Sequence, residues 1–237
     1  MPVSGISARV GTKASAQFGN ISARERAEKV FVLLKKQYPS ARTALNSDTP
    51  FELLIATILS AQCTDARVNL ITPGLFRKYP LPESLAEADR RELEKEIKST
   101  GFFRQKARSI INCSKSIVEN FGGKVPRTME QLLTLDGVGR KTANVLLGNA
   151  FGVPGIAVDT HVRRLSQRLG FTKKNDPTKI EFDLMELFPP KHWTLLCHLL
   201  MSHGRKICIA RVPRCDACVV NKLCPSASAF MNKKGKN

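Results

Sequence analysis

An all-α fold is predicted, on three observations. Apolar residues recur at helical spacing in one segment after another, no stretch sustains a two-residue alternation, and helix-start signals precede the periodic runs at short intervals. Residues 1–22 carry Gly, Ser, Ala and two basic residues without an acid, and read as a flexible basic arm without the apolar centre of a secretory signal. Thr49-Pro-Phe-Glu52 is a capping box with proline at the first helical position, and Phe51, Leu54, Ile55, Ile58 and Leu59 then follow the i, i+3, i+4 rule. The same rule holds over 104–121 through Ala107, Ile110, Ile111, Ser114, Ile117, Val118 and Phe121. Thr128-Met-Glu-Gln131 is a second capping box, and Ala143, Leu146, Leu147, Ala150 and Phe151 give one face of a helix over 141–151. Asp159 stands at an N-cap before Val162, Leu165 and Leu169, Asp176-Pro177 opens another helix, and Gly204 is read as closing one begun near Lys191. The last residues, 232–237, read as a loose basic tail.

The 237 residues are 42% hydrophobic and 24% charged, an ordinary globular mix. The longest apolar run, Leu53–Leu59 with Thr57 inside it, is far short of the roughly 18 residues of a membrane span. Thirty-eight Lys and Arg against 20 Asp and Glu leave a net charge of +18, which favours a polyanionic partner. Nucleic acid leads and an anionic membrane surface is the weaker choice, because the basic residues are spread along the whole chain rather than along one amphipathic stripe. Seven cysteines, an odd number unevenly spaced, make a poor secreted disulfide framework. Cys63, Cys113 and Cys197 lie singly within helical patterns and read as small buried hydrophobes.

Two motifs carry chemistry. In Leu135-Asp-Gly-Val-Gly-Arg-Lys141, Gly137 and Gly139 permit a tight turn between two helices, with Val138 between them. The backbone N–H groups that open the second helix then face outward, where the helix dipole favours an anion. Arg140 and Lys141 strengthen a phosphate-binding reading of this hairpin over a plain turn. Lys141 sits at its mouth, and an outgoing helix followed by the Gly152-Val-Pro-Gly155 turn brings the chain back to Asp159. The second motif is Cys208-x6-Cys215-x2-Cys218-x5-Cys224. Zinc sites commonly use two separated Cys-x-x-Cys knuckles, and this run has one, so the spacing favours a single-segment iron–sulfur site with zinc kept as the alternative.

Leu135-Asp-Gly-Val-Gly-Arg-Lys-Thr-Ala-Asn-Val145 and Val158-Asp-Thr-His-Val-Arg-Arg-Leu165, together with the cysteine run, resemble the helix-hairpin-helix DNA glycosylases, and within them the endonuclease III family; the likeness runs from about Arg24 to Cys224. The resemblance implies a bifunctional DNA glycosylase and apurinic/apyrimidinic lyase, with Lys141 as nucleophile and Asp159 assisting it. A primary amine can displace a base from C1′ and hold the sugar as an imine, which a hydroxyl cannot do. The amine must act unprotonated, although an ordinary lysine titrates near 10.4. The resemblance also implies a [4Fe–4S] cluster on Cys208, Cys215, Cys218 and Cys224, with Arg205, Lys206, Arg211 and Arg214 around the ligands to meet backbone phosphates. It points to Gln62 as the side chain that fills the gap left by an extruded base, and puts a wedge at Phe102 and Phe103, where the family commonly has Leu-Tyr. The implied architecture is a six-helix barrel over 43–153 that ends in the hairpin, and a cluster domain from 23–42 and 154–237. The implied partner is duplex DNA holding oxidised pyrimidines or abasic sites. The protein is expected to be a monomer in the bacterial cytoplasm, associated with the nucleoid and not with a membrane. A mismatch adenine glycosylase is the near rival and commonly lacks the lysine found at 141.

Overall fold

Side-chain caps decide where many of the helices begin. In the computed structural model, which describes residues 21–234, these are α1 (Ala23–Gln37), α2 (Pro50–Leu59), α3 (Asp65–Lys78), α4 (Pro82–Ala86), α5 (Arg90–Glu96), α6 (Phe103–Phe121), α7 (Met129–Leu132), α8 (Arg140–Ala150), α9 (Thr160–Arg168), α10 (Pro177–Leu187), α11 (Trp193–Lys206) and α12 (Ala227–Lys234). Thr49, Thr64, Asp89, Thr128, Asp159 and Asp176 each accept a hydrogen bond from the N–H three residues on, a contact worth about 1 kcal/mol apiece. Among the described residues there is no β-strand.

Three expectations at element ends are corrected. Ser22 does not belong to an arm: it caps α1, its hydroxyl accepting from Glu25 N–H while the Glu25 carboxylate accepts from Ser22 N–H. The rest of the predicted arm, residues 1–20, lies outside the described residues. The predicted basic tail is helical at its start, since α12 runs to Lys234. Gly204 does not end α11, which continues to Lys206. Its role is close approach: a Cβ there would lie 2.8 Å from His161 Nδ1 and 3.1 Å from Leu165 Cδ1, so hydrogen lets α11 lie this near α9 without displacing those side chains.

The buried side chains form two cores. The first is drawn from Leu45 to Leu147 and includes Leu54, Ile55, Leu59, Leu75, Leu93, Ile110, Ile117 and Leu146. The second combines Ala27, Val30, Phe31 and Leu34 of α1 with residues from Ile156 to Val220, among them Val162, Leu165, Ile180, Leu196 and Leu200. The N-terminal helix therefore packs with the C-terminal half. Arg26 fastens it there, donating to the carbonyls of Leu169, Gly170 and Leu223. Satisfying three carbonyls lets this guanidinium be buried.

Candidate active site

The α7–α8 hairpin is built by burial and by one left-handed residue. Leu135 and Val138 enter the first core, and Val138 N–H donates to Leu135 C=O across the bend. Gly137 has φ +76°, a conformation that costs an L-residue roughly 1–2 kcal/mol. The Asp136 carboxylate accepts from Ser109 Oγ at 3.0 Å and Asn112 Nδ2 at 2.9 Å, tying the bend to α6. Gly139 caps α8 and has no side chain to close the first turn, so the N–H groups that open the helix have no side-chain partner there.

Lys141, exposed on that first turn, lines a cleft of about 1020 Å³. Asp159 lines the same cleft, as do Gln62, Asp65, His161 and Arg205. The Asp159 carboxylate is held in place by accepting from Val162 N–H at 2.7 Å, at the head of α9. Lys141 and Asp159 also border an adjoining cavity with Asn144, Asn149 and His198. The structure thus places the amine and the carboxylate on the walls of one groove.

Two turns carry backbone strain, and one of them, at Gln62, lines the cleft. Among the described residues only Gln62, φ +53°, and Phe102, φ +49°, are non-glycine residues in the left-handed region. Such strain gathers at functional sites, where the surrounding structure must hold it. Phe102 is 66% exposed, whereas Phe103 packs against the first core. The two phenylalanines therefore differ: one ring is free to touch a partner and the other is core.

The basic residues separate as well. Arg140 reaches across to α10 with its side chain still 35% exposed, forking onto Glu181 at 2.7 and 2.8 Å, and this bond raises its pKa above the ordinary arginine value. Arg205 pairs with Asp65 at 2.6 Å, joining the end of α11 to the start of α3 at the cleft. Lys206 lies over the Tyr38 ring, and Arg211 and Arg214 are exposed. Sequence reasoning missed Asp65, Glu181 and Lys106; Glu181 is 3% exposed and Lys106 4%, and only their folded partners distinguish them from surface charges.

The four clustered cysteines line one cavity with Leu165, Leu169 and Val220. Arg168 Nη1 lies 3.4 Å from Cys208 Sγ and His203 Nε2 3.3 Å from Cys218 Sγ. Burial pushes the Cys218 thiol up to about 11 and raises Cys224 too, so these sulfurs become thiolates only against a compensating cation. Among the described residues no three His, Cys, Asp or Glu side chains are placed to hold one metal ion. The four sulfurs thus surround one largely apolar cavity, with the Arg168 guanidinium and the His203 ring at its edge. Arg164 and Arg168 on α9 bond the carbonyls of Cys208, Ile209 and Ala210, so the helix headed by Asp159 also grips the cysteine loop. Cys113 and Cys197 are buried thiols pushed up to about 12 and chemically quiet.

Residues 55–190 match the HhH-GPD superfamily of base excision DNA repair proteins, and the chain belongs to it. Endonuclease III of Synechocystis sp. is 54% identical over 209 residues, covering 88% of this chain and 95% of the relative. Endonuclease III of Escherichia coli K12 is 40% identical over 195 residues, covering 82% and 92%. A solved structure described as a non-covalent endonuclease III–DNA complex superimposes with TM-score 0.86 at 41% identity, covering 90% of this chain and all of that one. A trapped endonuclease III–DNA covalent intermediate gives 0.85 at 41% identity, covering 89% of this chain and all of that one. Within the superfamily the chain is a member of the endonuclease III family, the bifunctional DNA glycosylases and AP lyases of base excision repair.

Proposed function

We propose that Lys141 is the nucleophile of this glycosylase/lyase and Asp159 its partner. The observation that carries the reading is their common position on the cleft wall, beside a helix N-terminus that has no side-chain cap. The amine attacks C1′ of an extruded deoxyribose as the C1′–N bond breaks and the base leaves. Asp159 receives the proton from the amine or stabilises the positive charge that develops on the sugar. Ring opening gives an imine, and loss of the C2′ proton with departure of the 3′ phosphate cuts the strand. The substrates are oxidised pyrimidines and abasic sites in duplex DNA, acted on by a monomer in the bacterial cytoplasm.

The backbone of Gly137, Val138, Gly139 and Arg140 takes a phosphate of the damaged strand. Arg205, Lys206, Arg211 and Arg214 add positive charge along the same duplex. Gln62 fills the vacated stack and Phe102 is the wedge, with Phe103 supporting the turn from the core. The two cores are read as two domains, the barrel over 43–153 and the cluster domain over 23–42 and 154–237. Cys208, Cys215, Cys218 and Cys224 would hold a [4Fe–4S] cluster, which supplies a covalent staple for the loop that bears Arg211 and Arg214.

Borohydride reduction tests the nucleophile. The wild-type protein is expected to give a covalent adduct with a duplex holding one oxidised pyrimidine, and Lys141→Gln none above background. An adduct formed at the wild-type yield by Lys141→Gln would assign the imine to another amine.

A further inference from the structure

Lys106 is buried in α6, yet its side chain does not serve the apolar core around it. Its Nζ donates to Leu59 C=O at 2.8 Å and to Thr100 C=O at 2.8 Å. Leu59 is the last residue of α2, three before Gln62, and its carbonyl is one of those a helix end leaves without an internal partner. Thr100 comes two residues before Phe102. The backbone N–H of Lys106 donates to Phe102 C=O at 3.0 Å as well. One residue therefore holds both sides of the Gly101–Phe102 bend and, through the same ammonium, the turn that leads to Gln62. These two turns contain the two left-handed non-glycine residues described above, and such conformations persist only where neighbours over-determine them.

We propose that Lys106 is a positioning residue for base extrusion, clamping the Gln62 and Phe102 turns in register so that gap filling and wedging occur together. The inference rests on the roles proposed above for Gln62 and Phe102, and on none of the chemistry at Lys141. Burial lowers the Lys106 pKa, the cost of keeping a cation there, and two short bonds to carbonyls offset that cost. Removing the ammonium leaves two buried carbonyls unpaired and frees each turn to relax separately.

Opening the duplex is hardest when the lesion is paired and easiest when nothing opposes it. The test therefore measures single-turnover base release from one duplex sequence with the oxidised pyrimidine opposite a base, and again opposite a reduced abasic residue. Lys106→Met is expected to lose about tenfold or more on the paired lesion and less than about threefold on the unpaired one, with a lower but still cooperative melting transition and its borohydride adduct at a preformed abasic site retained. Equal losses on both substrates, or no loss on either, would overturn the clamp. Lys106→Gln, whose amide keeps two N–H donors on a shorter stem, is expected to fall between wild type and Lys106→Met, and carries the same comparison should Lys106→Met fail to fold. A wild-type protein inactive on both duplexes would refute the proposed substrate rather than the clamp.

Discussion

At the scale of single residues, Arg140 shows how far a motif reads from sequence. Beside Lys141 in a glycine hairpin, its local signal is phosphate binding, yet its guanidinium forks onto Glu181, 41 positions along the chain. No local pattern marks Glu181, because its neighbours on α10 show ordinary helical periodicity and its partner Arg140 lies on a helix distant in sequence. The places of Lys141 and Asp159 in the fold were legible because each sits in its own short motif, a hairpin mouth and an N-cap. The strain at Gln62 and Phe102 was not legible, since it arises from tertiary contacts to Leu59 and Thr100. Arg140→Met strands a buried carboxylate. Removing one partner of a fully buried pair costs 3–5 kcal/mol, and with the Arg140 side chain 35% exposed a loss of about 2–3 kcal/mol is expected. Adding Glu181→Leu should return part of that loss, and urea denaturation of the two single variants and the double variant measures the coupling.

Among elements, those with a strong apolar stripe were readable and those held by other means were not. The helix α2 announces itself by cap and spacing, α6 and α8 by spacing and α10 by its Asp176-Pro177 start, whereas α3 has Pro73 within it and buries only Val68, Thr72 and Leu75. Gly204 has the composition of a helix end but acts by close approach, and the distinction exists only once α9 lies against α11. The hairpin of α7 and α8 carries Lys141 into the cleft, and its geometry depends on Gly137. Gly137→Ala would hold a side chain at φ +76° and set its Cβ 3.0 Å from Ser109 Cβ. Strain of about 1–2 kcal/mol is expected, with DNA affinity lowered about tenfold as the outward N–H groups move off the phosphate. Fluorescence anisotropy with an undamaged duplex reads the affinity, and thermal melting reads the strain. Gly74→Ala is the control of opposite sign: it lies inside α3 with no atom within 4 Å of the new Cβ, and should stabilise by about 0.5–1 kcal/mol.

Across the whole molecule, the two cores meet around a cleft whose polar walls come from both. Asp65 heads α3 beside the first core, Arg205 ends α11 of the second, and their 2.6 Å pair spans the contact. His198, also on α11, borders the cavity behind Lys141 and Asp159. Its Nε2 lies 2.8 Å from Asn149 Oδ1, while its Nδ1 is buried with no hydrogen-bond partner. Burial disfavours the imidazolium and holds the His198 pKa below the ordinary histidine value. The folded protein thus keeps this ring neutral at pH values where the unfolded chain already binds a proton, near 6.5. Stability must therefore be fully present above about pH 6.5 and decline as the pH falls toward the depressed folded value, because in that window the unfolded state carries more protons. The prediction is a lower melting temperature at pH 5.5 than at pH 7.5, with a smaller difference in His198→Gln, whose side chain does not titrate. An equal pH dependence in the two proteins would assign the acid sensitivity to other groups and leave the joint between the cores indifferent to His198.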